Sequence, residues 1–291
     1  MQTREGTFDA AGGLRLFEHA WLPEGEPRAA VALVHGYAEH SGRYEHVGQA
    51  LASAGYAVEA LDLRGHGRSE GERATVRTFG LYLNDLRRFL RRVRERHPGK
   101  PLFLLGHSMG GTIAALHTIQ FQPELAGLVL SGPALTARDR AQRLTAPVFS
   151  VLGRLVPGLP LARLKAETVS RDPAVAAAYD ADPLVYRGRM RAGMLRAFVD
   201  ALNRIDRGME TIAVPLLIVH GTADELANPD GSRQLYARAS STDKRLRLYD
   251  GLAHEVLNEP EKDEVIAELC GWLDERATPG AAAGAAARRG A

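Results

Sequence analysis

The stretch that most restricts this chain runs from Leu102 to Gln120. Leu102-Phe103-Leu104-Leu105 is a short apolar run. Gly106-His107-Ser108-Met109-Gly110 follows as Gly-x-Ser-x-Gly, and Gly111 leads into a helix-forming run from Thr112 to Gln120. That order dictates a strand, a sharp turn and a helix, with Ser108 at the apex. So tight a turn forces the serine backbone into a strained conformation and lifts its Oγ out of the sheet into a cleft. Glycines flank the serine because side chains there would meet the neighbouring strand and helix. The Met109 N–H then lies at a helix N-terminus, where it can donate to a developing oxyanion. The five-residue string recurs by chance. The strand before it and the helix after it give it weight.

The rest of the chain repeats the same alternation. Strand-like runs fall at Leu14–His19, Ala30–Val34, Val58–Leu61, Leu102–Leu105, Leu125–Leu130, Leu216–Val219 and Arg245–Leu248. Several are continuously apolar, as strands buried on both faces are. Helix-like segments lie between them at Tyr44–Ala54, Tyr82–Arg96, Thr112–Gln120, Gly231–Ala239 and Glu261–Asp274. The expected fold is therefore α/β, a mostly parallel central sheet flanked by helices. The alternation breaks from 135 to 208, where no strand is evident. Leu144, Val148, Val151, Leu152, Leu155, Val156, Leu159, Leu161 and Leu164 are interspersed with prolines at 147, 157 and 160. This reads as a helical cap inserted over the end of a core formed by 1–134 and 209–276. A separate helical domain is the alternative. Residues 277–291 are almost all Ala, Gly, Arg and Pro and are expected to form a disordered tail.

With 291 residues the chain can bury a core without staples. Its 37 Lys and Arg against 35 Asp and Glu leave a formal charge of +2, which gives no footprint for nucleic acid. The one basic concentration, Arg87, Arg88, Arg91, Arg92, Arg94 and Arg96, shares a segment with Leu83, Leu86, Leu90 and Val93 at helical spacing, and reads as a solvated helix face. Cys270 is the only cysteine, so no intramolecular disulfide forms, and its place after Leu269 suits a half-buried structural thiol. The chain does not open on a basic segment followed by an apolar run, and no apolar stretch approaches transmembrane length. A reducing cytoplasm is the expected setting.

A serine hydroxyl needs a base, and the base an orienting acid. Sheet enzymes with a serine at such a turn place them in the chain order Ser, acid, His. Two loops after strand-like runs supply them: Val219-His220-Gly221-Thr222-Ala223-Asp224 ends in a carboxylate, and Tyr249-Asp250-Gly251-Leu252-Ala253-His254 in a histidine. Loops at strand ends are where open α/β sheets bind ligands. Ser108 is assigned as nucleophile, Asp224 as orienting acid and His254 as general base, with Glu225 and Asp230 as fallback acids. The second oxyanion donor is the Tyr37 N–H, after the run ending Val34-His35-Gly36, and Met109 is the first. His35 reads as a partner of its own loop. Asp62-Leu63-Arg64-Gly65-His66-Gly67-Arg68-Ser69 lacks the lysine and spacing of a phosphate-binding loop and reads as a brace for the site. No His-Glu-x-x-His string occurs among the ten scattered histidines, so no metal and no cofactor are expected.

Together, His35 through Tyr44, Asp62 through Gly71, Gly106 through Gly111 and the Asp224 and His254 loops resemble the monoacylglycerol lipase family of α/β-hydrolases, often grouped with lysophospholipases. Ser170-Arg171-Asp172-Pro173 through Asp182-Pro183-Leu184 resembles that family's cap. The resemblance extends from about Gly6 to Glu275. It implies the α/β-hydrolase fold, the triad Ser108, Asp224 and His254, and an oxyanion hole from the Tyr37 and Met109 amides. Where the mammalian member carries a second histidine one helical turn beyond the catalytic one, this chain has Leu257, so recognition of the glycerol differs.

The expected activity is hydrolysis of the ester of a single-acyl lipid through an acyl-enzyme. The partner is a small lipid ester, and the cap is the element through which a transient membrane-surface contact would be made. Its Leu and Val residues, with Met190 and Met194, are expected to wall the site. A broad small-ester esterase and a lysophospholipase are the alternatives. A serine aminopeptidase would need an acidic pair in the cap, for which Glu167 and Asp172 are available. A non-catalytic protein on this scaffold would lack part of the triad, and none of it is missing.

Overall fold

The computed structural model describes residues 1–136 and 151–277. Leu144 and Val148 of the expected cap wall, and the tail from 278 onwards, lie outside them. The elements are β1 (Gln2–Asp9), β2 (Arg15–Leu22), β3 (Ala29–Val34), α1 (Glu45–Ser53), β4 (Tyr56–Leu61), α2 (Gly80–Arg96), β5 (Leu102–His107), α3 (Met109–Phe121) and β6 (Gly127–Ser131). After them come β7 (Pro160–Arg163), α4 (Pro173–Ala181), β8 (Arg189–Arg191), α5 (Ala192–Asp206), β9 (Leu216–Gly221), α6 (Pro229–Arg238), β10 (Lys244–Tyr249) and α7 (Lys262–Asp274).

Eight strands form one sheet in the order β1-β2-β4-β3-β5-β6-β9-β10. β2 runs antiparallel to both of its neighbours, β1 and β4, and all the other pairs are parallel. The inner strands are buried on both faces because both are covered. In β3, Ala30, Ala32 and Val34 face a core shared with α2 and α3, whereas Val31 and Leu33 face a second core with Val47 and Leu51 of α1 and Trp272 of α7. All six residues of β3, β4, β5 and β9 are buried.

Four regions differ from the sequence expectation. β1 was not anticipated, because at the sheet edge only Phe8 of its eight residues is buried and no apolar alternation marks it. The arginine-rich face of α2 is not wholly solvated. Arg92 and Arg96 reach down to Glu18, and Arg96 also to Glu59 at 2.8 Å, two carboxylates buried in β2 and β4. Between 135 and 208 there is a short antiparallel ribbon of β7 and β8 beside the helices α4 and α5. Its strands are too short and too charged to show a strand pattern. Met194, Ala197, Ala201 and Ile205 of α5 pack into the same core as α2 and α3, so this helix is continuous with the main body. Ala277, placed in the tail by composition, is buried and donates its N–H to Leu273.

Candidate active site

Ser108 stands between β5 and α3 with φ 53° and ψ −118°, a backbone strained for a non-glycine residue. Its N–H donates to Ser131 O at 3.0 Å and its carbonyl accepts from Thr112 and Ala134, which fixes the turn. The neighbouring glycines are needed for space. A Cβ on Gly106 would stand 2.5 Å from Gly110 O, and one on Gly110 would stand 2.2 Å from Val34 O. The helix can therefore begin hard against the ends of β3 and β5.

From Ser108 a series of short hydrogen bonds runs inward. Ser108 Oγ lies 2.8 Å from His254 Nε2, and His254 Nδ1 lies 2.6 Å from Asp224 Oδ2. The Asp224 side chain is fully buried and both of its oxygens are engaged. Oδ1 accepts from the N–H groups of Leu226 and Ala227 at 2.7 and 2.9 Å, and Oδ2 also accepts from His220 Nε2 at 2.9 Å. Burial opposes the charge on Asp224, but His254 and the hydrogen bond from His220 outweigh it and hold the carboxyl well below the usual carboxylate range. A carboxylate accepts only, so His254 carries its proton on Nδ1 and leaves Nε2 to accept from the serine hydroxyl. Burial alone would lower the His254 pKa. The charge and hydrogen bond of Asp224 reverse this, Glu255 and Glu39 add to them, and the imidazole is held above its ordinary value. Neighbouring His107, its ring centred 4.8 Å away, is pushed down to about 4 by burial and by His254.

The loop after β3 abuts the serine. A Cβ on Gly36 would lie 3.2 Å from Ser108 Cβ, so the residue before Tyr37 packs directly against the serine. Met109 is the first residue of α3. Neither the Tyr37 nor the Met109 N–H has a partner among the described residues. Both are free to meet an oxyanion. The Tyr37 loop is held from both sides. Leu63 N–H donates to His35 Nε2 at 2.9 Å, so His35 Nδ1–H donates to Gly36 O at 2.7 Å. Glu39 accepts from the Gly36 N–H, the Tyr44 hydroxyl and Arg43. Burial disfavours its charge, but Arg43 and its other neighbours hold the carboxyl at about 2. Arg43 also makes a forked pair with Glu255, at 2.6 and 2.8 Å, tying this loop to the residue after His254. The Asp62 loop braces the assembly: Oδ1 accepts from Ser41 N–H and Oγ, and Oδ2 accepts from the Arg68 N–H.

Segment 182–187 lies against these loops. The Tyr186 N–H donates to Ala38 O at 2.7 Å, His40 Nε2 meets Asp182 at 2.8 Å and Arg73 donates to Leu184 O at 2.8 Å. A cavity of about 1100 Å³ opens next to the site, with Ala223, Glu225 and Ala253 on one side and β7, β8 and the residues after β7 on the other. The expected apolar wall is only partly there. Leu161 and Leu164 line the cavity, but Val151, Leu155 and Val156 are exposed, and Met194 is buried in the main core.

Of the sequence assignments, the structure brings Ser108, Asp224, His254, Tyr37 and Met109 together. Glu225 points into the cavity instead, and Asp230 pairs with Arg233 on the surface. Asp172 caps α4 by accepting from the Ala174 N–H and does not join Glu167 at the cavity. Three participants had not been singled out: His220, four residues before Asp224, Arg43 and Glu39. Polar residues at the end of a buried strand or in the loop after it were the available signal: His220 lies near the end of β9, and Glu39 and Arg43 follow β3. Cys270 is half-buried at the edge of the second core. No cluster among the described residues could hold a metal ion.

The fold and the serine site define an α/β-hydrolase of the serine kind. The family described as serine aminopeptidase, S33, matches residues 25–261. The monoacylglycerol lipase of Mycolicibacterium smegmatis is 43% identical over 269 residues, covering 92% of this chain and 96% of that one. Human monoglyceride lipase is 36% identical over 276 residues, covering 94% and 91%. The crystal structure of Paleococcus ferrophilus monoacylglycerol lipase superposes with a TM-score of 0.78 at 30% identity, covering 95% of this chain and 100% of that one. The chain belongs to the serine aminopeptidase S33 family, among its monoacylglycerol lipase-like members, and is a hydrolytic enzyme. The resemblance read from its motifs is borne out.

Proposed function

We propose that this enzyme hydrolyses the ester of single-acyl lipids, monoacylglycerol first among them, to a fatty acid and an alcohol. The observation that carries the reading is the unbroken hydrogen-bonded series from Ser108 through His254 to buried Asp224. His254 Nε2 takes the proton of Ser108 Oγ as the oxygen attacks the ester carbonyl. The Tyr37 and Met109 amides receive the oxyanion, and Asp224 stabilises the imidazolium. His254 then protonates the departing alcohol, leaving Ser108 acylated. A water molecule, deprotonated by His254, attacks the acyl carbon, and the acid leaves as the proton returns to Ser108. The chemistry requires no cofactor.

In this reading residues 135–208 act as a cap, and the apolar side chains of Val151, Leu155 and Val156 on its outside suit a transient contact with a membrane surface. No helix among the described residues is long and apolar enough to cross a membrane. The setting we propose is the cytoplasm. The names of the lipase relatives support the lipid substrate, and the use of Asp172 as a helix cap weighs against an acidic pair for a peptide amine. The test is a hydrolysis panel of mono-, di- and triacylglycerols, lysophospholipids and aminoacyl amides. Monoacylglycerols of medium to long chain should have the highest kcat/KM. Preference for the amides would replace the reading with a peptidase, and a steady decline from acetate to laurate esters would replace it with a small-ester esterase.

A further inference from the structure

The β7–β8 ribbon has an arrangement that packing does not explain. Arg163 and Arg189 are directly paired across the two strands. Like charges directly opposed on a sheet repel. Two arginines of this region have carboxylate partners: Arg171 pairs with Glu259 and Glu261, and Arg191 with Glu72. Arg163, Arg189 and nearby Lys165 have no carboxylate partner among the described residues, although all three line the 1100 Å³ cavity. Carboxylates are within the same cavity, on Glu167, Asp180 and Glu225, and none closes an ion pair with the three cations. The cationic side chains are thus held unneutralised. The same cavity is bordered by Ala223 and Ala253, each the residue before a member of the Asp224–His254 pair.

We propose that the ribbon is a subsite for an anionic group carried by the alcohol part of the ester, a phosphate on the glycerol being the chemistry that suits it, so that the enzyme also accepts single-acyl glycerol phosphates. A phosphate between Arg163 and Arg189 relieves their repulsion and accepts from both guanidinium groups. The carboxylates elsewhere on the wall repel it, which directs the phosphate to the ribbon and leaves them for hydroxyl groups or a cationic tip. The subsite rests on the ester-hydrolase reading, and the reaction is unchanged: water is consumed, the acyl C–O bond breaks, and the glycerol phosphate leaves with a proton from His254.

The test compares 1-lauroylglycerol with 1-lauroylglycerol 3-phosphate, both as monomers, on the wild-type protein and on the double variant Arg163→Gln/Arg189→Gln. The wild type should hydrolyse the phosphate ester with a kcat/KM at least equal to that of the neutral one. The double variant should lose about tenfold on the phosphate ester alone, the scale of a lost hydrogen bond to a charged group. The wild-type preference should shrink as salt rises, since these side chains are exposed. Arg189→Glu gives Arg163 a cross-strand partner, so it should keep or raise Tm while turning the enzyme against the phosphate ester. Equal losses on both substrates, or no loss on either, would overturn the subsite. Inhibition of neutral-ester hydrolysis by inorganic phosphate as strong as by glycerol 3-phosphate would overturn the assignment to the alcohol part. Absence of wild-type activity on 1-lauroylglycerol would instead count against the ester-hydrolase reading itself.

Discussion

The loop that carries Asp224 and the ribbon that carries Arg163 border the same cavity. In the loop each carboxylate oxygen is bonded, the side chain is buried and the partners are backbone amides or histidines that are themselves fixed. In the ribbon the Arg163 and Arg189 guanidinium groups are exposed and have no carboxylate partner among the described residues. The first arrangement suits a step that depends on placement to a fraction of an ångström. The second suits recognition, where a mobile charge can adapt to what arrives. Change in the loop should therefore cost rate, and change in the ribbon should cost selectivity.

The largest effect that would break this contrast is at the serine. Ser108→Ala should lower kcat by about 10⁶, the scale found when a serine nucleophile is removed in a protease. It should also abolish labelling by a fluorophosphonate while leaving the circular dichroism spectrum unchanged. Turnover near wild type would reject the assignment. Next comes Asp224→Asn, with an expected loss of about 10⁴ in kcat by the protease precedent, while Glu225→Gln should stay within about threefold. A damaging Glu225→Gln with a mild Asp224→Asn would exchange the roles of the two acids.

The pH profile sharpens the same point. His254 works as a base only when neutral, so kcat/KM falls as pH drops through its pKa. Asp224 raises that pKa, which puts the acid limb above the ordinary imidazole value. Residual activity of Asp224→Asn should show that limb at lower pH. An unmoved limb would mean that another group sets it. The smallest effects concern stability. Leu105→Ala, in the buried centre of β5, should cost about 2–5 kcal/mol by urea unfolding. Leu155→Ala, on the exposed cap, should stay within about 0.5 kcal/mol. Comparable losses would show that the cap surface packs against something in solution.

The parts of the molecule readable from sequence are those where one requirement dominates. Strands such as Ala29–Val34 announce themselves because covering both faces leaves room for apolar residues only. The Ser108 turn is readable because backbone contacts at Gly106 and Gly110 forbid a side chain. The choice among Asp224, Glu225 and Asp230 was less direct. They lie within seven residues, and what separates them is which carboxyl turns inward to two backbone amides, a matter of loop geometry. β1 and the β7–β8 ribbon escape notice because an edge strand or a surface ribbon is held by backbone pairing, which almost any side chain permits. Likewise the arginines of α2 look solvated until Glu18 and Glu59 are found buried beneath them.

The hydrogen bond from the Tyr186 amide to Ala38 O has a practical consequence. It joins segment 182–187 to the residue next to Tyr37, whose amide we propose as an oxyanion donor. Lifting that segment must release this bond, so the Tyr186 N–H exchanges with solvent deuterium only from the lifted state. Its exchange rate is a clock on access to the serine. The clock reads without substrate or label, and it should slow when an ester analogue holds the segment down.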